Sequence, residues 1–472
     1  MLFNSLVFLI FAAVFFAIWQ YAKNQLVVRS MFIVVASFIF YGWWDWRFLF
    51  LIMASGMVDF LCALAIERTQ KWKKFYLVLS MLCNVGSLAI FKYLDFFIEN
   101  VNATSAFFSS PLNISPTELI LPVGISFYTF QSMSYTIDVY KGELKPTKNL
   151  AHFFAYLSMF PQLVAGPIVR ARDLLPELEH PRQVNSDEIW VGLRWIVHGY
   201  FKKMVIADSF APFIARAFES GNVPESASFW WCVVAMFAVQ IYCDFSGYSD
   251  IARGLGKWMG FTFPENFNHP YAAVGFRDFW SRWHMSLSTW FRDYVYLPLG
   301  GSRVSKPRAH FNMWATMLIS GLWHGAAWNF VIWGALHAFY LSVERATQWP
   351  NRLLKFGFVG KVIGIVITFL LACLGWLFFR AESMPHAGRI LLQMVDLPNI
   401  NLNYTIRKIG ALQFFWLGVV FLRESFFAVG ANNYAFFEKA WFQNVRVVIL
   451  AVLIVTTVLF RGPGSSFVYF QF

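Results

Sequence analysis

The chain has 472 residues, of which 58% are hydrophobic and only 14% are charged, whereas soluble domains carry about 25% charged residues. This composition excludes an ordinary soluble domain and predicts an integral membrane protein. Lysine and arginine outnumber aspartate and glutamate by 38 to 26, which gives a net charge of +12. Because the extra cations lie in short loops between apolar runs, they favour membrane topogenesis and contacts with anionic membrane lipids, and we predict no nucleic-acid partner.

Apolar runs recur from residue 6 to residue 460 without a long polar interval. Runs long enough to cross a membrane, or nearly so, lie at 4–22, 31–45, 48–66, 75–98, 118–138, 151–169, 188–206, 227–243, 311–327, 329–344, 362–379, 411–428 and 445–460. Because a span needs about 20 helical residues, some of these runs must be short, tilted or re-entrant. We therefore predict an all-α polytopic protein with roughly 11–13 transmembrane or re-entrant helices around a central funnel or channel.

The chain is predicted to form one membrane domain, 1–472. It divides into N-terminal spans (1–110), a central core (111–345), C-terminal spans (346–460) and an aromatic C-terminal tail (461–472). The N-terminal run lacks a basic leader and a small-residue cleavage site, so we interpret it as an uncleaved span. The alternation of cation-rich and cation-poor loops predicts that the N-terminus faces outside.

Several familiar kinds of site have no support in the sequence. The five cysteines lie in apolar surroundings and form no C-x-x-C pair, so neither a disulfide framework nor a metal site is predicted. No Walker A sequence, G-x-G-x-x-G or G-x-S-x-G occurs. Phosphoryl-transfer, dinucleotide and serine-hydrolase chemistry therefore lose their usual sequence support.

The segment 276–310 mixes cations, aromatic residues and prolines. Such segments suit interfacial or re-entrant helices that line a cavity, and snorkelling arginines with an aromatic belt account for most of their residues. His284 is flanked by arginines and is suited to orient an acyl carbonyl or polarise a thioester. The side chains predicted to line a donor channel here, where arginines can meet phosphates, are Arg277, Arg282, Trp283 and Arg292.

Residues 320–339, SGLWHGAAWNFVIWGALHAF, place two histidines in a run that otherwise indicates a membrane helix. His324 lies near Gly321 and Gly325 and beside Trp323, which is a further candidate for the substrate channel. An ionisable group inside a membrane is a functional candidate, although a neutral histidine bonded between helices is an equally good interpretation. His337 follows 13 residues later, about 220° round an unbroken helix, so we predict a separate, structural role for it.

Polar residues also follow the apolar run at 227–243, in YCDFSGYSDIARGLG (242–256). Asp244, Ser246 and Tyr248 are candidates for the substrate channel. The alternative is a kinked helix whose polar groups satisfy one another.

The chain ends in GPGSSFVYFQF (462–472), a flexible segment followed by aromatic residues. One interpretation is that this tail packs against the protein, as hydrophobic termini often do. The other is that the aromatic side chains seat the tail and present the hydroxyl of Tyr469 to the cavity, where it acts as an acyl relay.

Six ordered segments resemble the membrane-bound O-acyltransferase family: LPVGISFYTFQSMSYTIDVYKGE (121–143), FPQLVAGPIVR (160–170), QIYCDFSGYSDIARGLG (240–256), NFNHPY (266–271), FWSRWHMSLSTWFRDYVYLPLGG (279–301) and GLWHGAAWNFVIWGALHA (321–338). The likeness is strongest to the membrane subunits of alginate and peptidoglycan O-acetyltransferase systems, with the exporter of teichoic acid D-alanylation as a more distant relation. It covers most of residues 1–345, whereas 346–460 match mainly in hydropathy.

The resemblance implies that His324 is the catalytic histidine, acting as general base, and that His284 is the second signature position, both facing a channel. It implies an acetyl group carried by a cytoplasmic thioester such as acetyl-CoA, with no tightly bound cofactor. Phe467, Tyr469 and Phe472 fill an F-x-Y-x-x-F signature whose tyrosine carries the acyl group outward. The implied partner is an extracytoplasmic acetyltransferase of the SGNH-hydrolase type, with a polysaccharide as final acceptor and the bacterial inner membrane as location.

Two alternatives to this assignment remain open. A transporter or flippase also has intramembrane polar residues and broken helices, although no internal repeat is found. An acyltransferase of the same family acting on a lipid alcohol is the other. On the acyltransferase interpretation we expect the imidazole of His324 to border a cavity wide enough for a pantetheine arm.

Overall fold

The computed structural model describes residues 1–219, 225–430, 440–465 and 467–468. These residues form helices, turns and loops and contain no strand, so the predicted all-α class is confirmed. The α-helices, in chain order, are α1 Leu6–Ala22, α2 Leu26–Asp45, α3 Arg47–Arg68, α4 Lys73–Leu88, α5 Leu94–Phe107, α6 Ile125–Lys141, α7 Leu150–Ser158, α8 Phe160–Leu163, α9 Ala171–Glu179, α10 Ser186–Tyr200, α11 Asp208–Glu219, α12 Ala227–Met259, α13 Phe276–Trp280, α14 Met285–Phe291, α15 Lys306–His324, α16 Trp328–Thr347, α17 Trp349–Leu354, α18 Gly357–Arg380, α19 Met384–Val395, α20 Leu402–Ile409, α21 Ala411–Gly430 and α22 Ala440–Leu459.

Five of the described helical segments are long and apolar enough to cross a membrane: Leu26–Asp45, Arg47–Arg68, Lys73–Phe107, Ala227–Met259 and Gly357–Arg380. A sixth arises if Leu402–Ile409 and Ala411–Phe426, which meet at 98°, form one bent span. Other apolar runs form shorter or interrupted helices. The protein is therefore a multi-pass membrane protein in which several predicted runs fall short of a full span.

The apolar run at 151–169 is not a single helix. It forms α7 and α8, separated by Met159 in a non-helical conformation (φ −51°, ψ 114°). Pro161 lies in the first turn of α8 and lacks the amide proton that a continuous helix would use there. A hydropathy pattern registers apolar side chains but not a missing backbone donor.

The chain divides into two compact units, Met1–Ile196 with Ile251–Pro264, and Val197–Asp250 with Glu265–Phe472. In the first unit, Asp59 is fully buried in α3. Its carboxylate accepts hydrogen bonds from Ser80, Ser132 and Asn84, the last at 2.8 Å to Oδ2. A carboxylate buried at membrane depth needs such donors because lipid supplies none.

The second unit has an aromatic core formed largely by α12, α16, α18 and the segment around α13. Its largest buried side chains are Trp230, Trp283, Trp333 and Trp376. Glycines bring α15 and α16 together, since a Cβ on Gly321 would lie 2.2 Å from the carbonyl oxygen of Phe330. This close packing fixes the end of α15, where His324 is located.

Candidate functional site

His324 is the last residue of α15, and its side chain lies in an aromatic cage. The ring centroids of Trp323, Trp333 and Phe379 are 4.9, 4.9 and 5.2 Å from that of His324. The helix ends here because Gly325 is extended (φ −165°, ψ 153°). A Cβ on Gly325 would lie only 2.1 Å from the ring of Phe330, so this close approach requires glycine. Local packing therefore fixes the position of His324 at the end of α15.

The unbroken helix assumed for the comparison of His324 with His337 does not form. Residues 325–327 interrupt it between α15 and α16. Both histidines instead contact Trp333, with centroid distances of 4.9 Å for His324 and 4.7 Å for His337. His337 is fully buried. The angular separation calculated from the sequence therefore does not describe this pair.

His284 lies directly before α14 in a left-handed conformation (φ 42°, ψ 54°) and is fully buried. Its Nδ1 lies 3.1 Å from Oδ1 of Asn266, and its ring packs against Phe245 at 4.5 Å. Burial lowers the pKa of His284 to about 3, so the imidazole is neutral. Because the amide oxygen is an acceptor, Nδ1 carries the proton and Nε2 carries the lone pair.

Asn266 was missed by the sequence analysis as a site residue. Its Oδ1 also accepts from Oγ and N of Ser286, at 2.9 and 3.3 Å, while its Nδ2 donates to Oγ of Ser249 at 3.1 Å. Its main-chain oxygen accepts from the amide of Met285 at 2.9 Å. The available signal was NFNHPY, a polar segment among apolar neighbours. Asn266 thereby fixes both the backbone around His284 and the tautomer of its ring.

Trp323 contacts both candidate catalytic histidines. Its ring centroid is 6.1 Å from that of His284 and 4.9 Å from that of His324. Trp323 is 4% exposed and His324 is equally buried. The structure therefore brings together three residues that the sequence analysis selected from two separate segments.

A cavity of about 1490 Å³ opens in the second unit, with walls from α13 to α18. Its charged lining residues are five cations and two carboxylates: Arg277, Arg282, Arg292, Arg345, Lys361, Asp278 and Glu344. Nε of Arg282 pairs with Asp278 at 2.7 Å, and Nε of Arg292 pairs with Asp293 at 2.6 Å. The remaining cationic excess makes the cavity suitable for an anionic ligand.

The predicted channel residues divide between the cavity wall and the core behind it. The three arginines line the wall, whereas Trp283 is buried between Phe279 and Trp376, at 5.6 and 4.8 Å. On α15 the wall extends to Ser320, one helical turn before His324. His324 is not among the described residues that line this cavity, so the cavity does not meet the expectation that the imidazole of His324 borders it.

Asp244 lies elsewhere in the second unit. Its Oδ1 pairs with Nζ of Lys203 at 2.7 Å, and its Oδ2 accepts from the amide of Val468 at 2.7 Å. Helix α12 continues through this segment, and these two partners of Asp244 lie outside residues 242–256. Ser246 and Tyr248 are buried on the same helix.

The first residues of the tail pack into the second unit. Phe467 is 2% exposed, and its ring lies 5.6 Å from that of Phe245 and 5.4 Å from that of Tyr248. Tyr469 and Phe472 lie outside the described residues, and the relay assigned to Tyr469 stays a prediction.

A profile of the membrane-bound O-acyltransferase family matches residues 143–384. The chain is 40% identical to the probable alginate O-acetylase of Azotobacter vinelandii over 84% of this chain and 78% of that protein. It is 38% identical to the peptidoglycan O-acetyltransferase of Helicobacter pylori, over 82% and 77%. The teichoic acid D-alanyltransferase of Bacillus subtilis is 28% identical over 57% and 71%. The family resemblance found in the sequence is confirmed.

Proposed function

Because this chain belongs to the membrane-bound O-acyltransferase family, we propose that it passes an acetyl group from a cytoplasmic thioester across the bacterial inner membrane for O-acetylation of a polysaccharide. The acyltransferase class follows from the family, and the polysaccharide acceptor is carried over from relatives named for alginate and peptidoglycan. The observation that carries the mechanism is that the rings of His284 and His324 both pack against Trp323.

In the proposed reaction, the imidazole of His324 takes the proton of the acceptor hydroxyl. The hydroxyl oxygen then attacks the acyl carbonyl, the carbon–sulfur bond breaks, and the thiolate takes the proton back from His324 and leaves as the free thiol. His284 positions the substrate by accepting a hydrogen bond at Nε2. Its protonation at Nδ1 supports this role because Nε2 then carries a lone pair and has no proton to donate to the carbonyl oxygen.

The cationic cavity supports a nucleotide thioester such as acetyl-CoA as donor. Its volume of about 1490 Å³ exceeds the ~300–1,000 Å³ of typical small-molecule pockets, and its arginines match the geometry of phosphate oxygens. On this proposal the phosphates lie near Arg277 and Arg345, and the pantetheine arm extends past Ser320 towards His324. No tightly bound cofactor is required.

The test is transfer of radiolabel from acetyl-CoA in membranes that contain the full chain. His324→Ala should reduce labelling of the acceptor by ~10²–10⁴-fold at unchanged protein level, because it removes the general base. His310→Ala, which alters a histidine at the other end of the same helix, is the matched control. Normal labelling in His324→Ala would overturn the assignment.

The fate of the label separates the alternatives. Label in a polysaccharide supports the proposal, label in extracted lipid indicates a lipid alcohol acceptor, and transport without acyl-bond formation indicates a carrier.

We further propose that Tyr469 carries the acyl group outward to an SGNH-type acetyltransferase partner. Tyr469→Phe should abolish acetylation of the polysaccharide, because the phenol oxygen is the only nucleophile removed. Mass spectrometry of the wild-type tail peptide should show an added acetyl group. Full activity of Tyr469→Phe would end this part of the proposal.

A further inference from the structure

Lys203, Asp208 and Asp244 form a buried cluster that the proposed acyl transfer does not use. We call these three residues the charged triad. Nζ of Lys203 lies 2.9 Å from Oδ1 of Asp208 and 2.7 Å from Oδ1 of Asp244. Their side chains are 9%, 2% and 1% exposed. One cation facing two carboxylates leaves a net negative charge in the interior, which is costly unless further donors satisfy it.

The C-terminal tail supplies those donors. The hydroxyl of Ser465 donates to Oδ1 of Asp208 at 2.5 Å, and the amide of Val468 donates to Oδ2 of Asp244 at 2.7 Å. Nζ of Lys203 donates in turn to the carbonyl oxygen of Ser465 at 3.2 Å. Every member of the charged triad therefore has a direct hydrogen bond to the tail.

The fit extends beyond the charged groups. The amide of Gly462 donates to the carbonyl oxygen of Met204 at 2.8 Å, and a Cβ at position 462 would lie 2.4 Å from the carbonyl carbon of Asp208. Further along the tail, the ring of Phe467 packs against Phe245. Glycine, serine and phenylalanine at these three tail positions thus each meet a distinct requirement of the binding surface.

We propose that the charged triad is a receptor for residues 462–465 and 467–468 and fixes where the terminal segment begins. Lys203, Asp208 and Asp244 are then positioning residues for the tail, and Asp244 binds the chain's own terminus instead of lining the substrate channel. The receptor itself stands on the contacts above, and only its consequence for acyl transfer rests on the proposed function.

Carboxypeptidase digestion of the full chain in detergent micelles, followed by intact-mass spectrometry, tests the receptor. Gly462→Ala places a methyl group against the backbone of Asp208 and leaves the side chains of the charged triad unchanged. Ser465→Ala removes the hydrogen bond from the Ser465 hydroxyl to Asp208 without adding bulk. Both variants should be trimmed faster than the wild type, Gly462→Ala by ~10–100-fold, because loss of buried hydrogen bonds shifts the tail towards its open state. Gly388→Ala is the control, since a Cβ there meets no atom within 4 Å. Trimming of both tail variants at the wild-type rate would overturn the receptor.

Acyl transfer measured on the same variants keeps the two proposals apart. Faster trimming with undiminished acetylation supports the receptor and contradicts the relay through Tyr469. Unchanged trimming, together with loss of acetylation in Tyr469→Phe, contradicts the receptor and supports the relay. Faster trimming with weakened acetylation supports both.

Discussion

Asn266→Ala should impair catalysis through His284 without altering a group that touches the substrate. The change removes the acceptor of the Nδ1 proton of His284 and of the amide and hydroxyl of Ser286; the hydroxyl can rotate, so two donors of fixed direction are left. A buried donor left without an acceptor costs about 1–3 kcal/mol, so the loss of stability should be about 2–6 kcal/mol. Moving the proton from Nδ1 to Nε2 removes the part of this cost that comes from the imidazole. The resulting tautomer is unsuited to the proposed role of His284. A free-energy preference of about 1.4 kcal/mol for the Nε2 tautomer lowers the population of the Nδ1 tautomer about tenfold. We therefore expect kcat to fall about tenfold with KM little changed.

Initial rates of acetyl transfer from acetyl-CoA in proteoliposomes, measured across pH, check this prediction. Asn266→Asp restores an acceptor for Nδ1 and should recover most of kcat near neutral pH. Its carboxylate also favours the imidazolium, so the pKa of His284 should rise from about 3 and activity should fail at a higher pH than in the wild type. Asn312→Ala is the control, since Asn312 is equally buried but donates to the carbonyl oxygen of Gly301. An unchanged kcat in Asn266→Ala, or an identical pH profile in Asn266→Asp, would refute the reasoning.

Two further predictions concern stability in detergent micelles. Gly321→Ala should lower the free energy of unfolding by about 1–3 kcal/mol, because its Cβ would lie 2.2 Å from the carbonyl oxygen of Phe330. Gly418→Ala is the control, since no atom lies within 4 Å of its Cβ, and it should be neutral or stabilising by up to about 1 kcal/mol. Thermal unfolding of both variants decides this, and equal effects would contradict it. Because burial lowers the pKa of His284 to about 3, the unfolded chain binds a proton below about pH 6.5 that the folded chain does not, so stability should fall as the pH drops from about 6.5 towards 3. The contribution of this one group at pH 5 is about 2 kcal/mol, and His284→Gln should have a shallower dependence on pH; an unchanged slope would count against a neutral His284.

Composition and motif order were sufficient to predict the fold class and the family. The low content of charged residues indicates a membrane protein. Six ordered segments that match one family are far more specific for that family than a single pattern. The separate runs at 311–327 and 329–344 correspond to α15 and α16, but the position of the break directly after His324 was not predictable in the same way. Gly325 lies in a run of small and apolar residues that is compatible with a continuous helix, and the extended backbone there depends on the ring of Phe330 packing against it. A contact between elements therefore overrode the local pattern.

The same limit applies to Asp244, which the sequence makes a candidate for the substrate channel. Its partners are Lys203, on a different helical segment, and the amide of Val468, 224 residues later in the chain. Sequence patterns report the cost of burying a carboxylate, because an aspartate beside an apolar run is conspicuous, but they do not report which distant donor offsets that cost. The same applies to His284, because its tautomer is set by Asn266, which lies 18 residues earlier in the chain. The sequence identifies a polar group that needs a hydrogen-bond partner when it is buried. The role of that group depends on which partner the fold brings to it, and the sequence pattern does not show that partner.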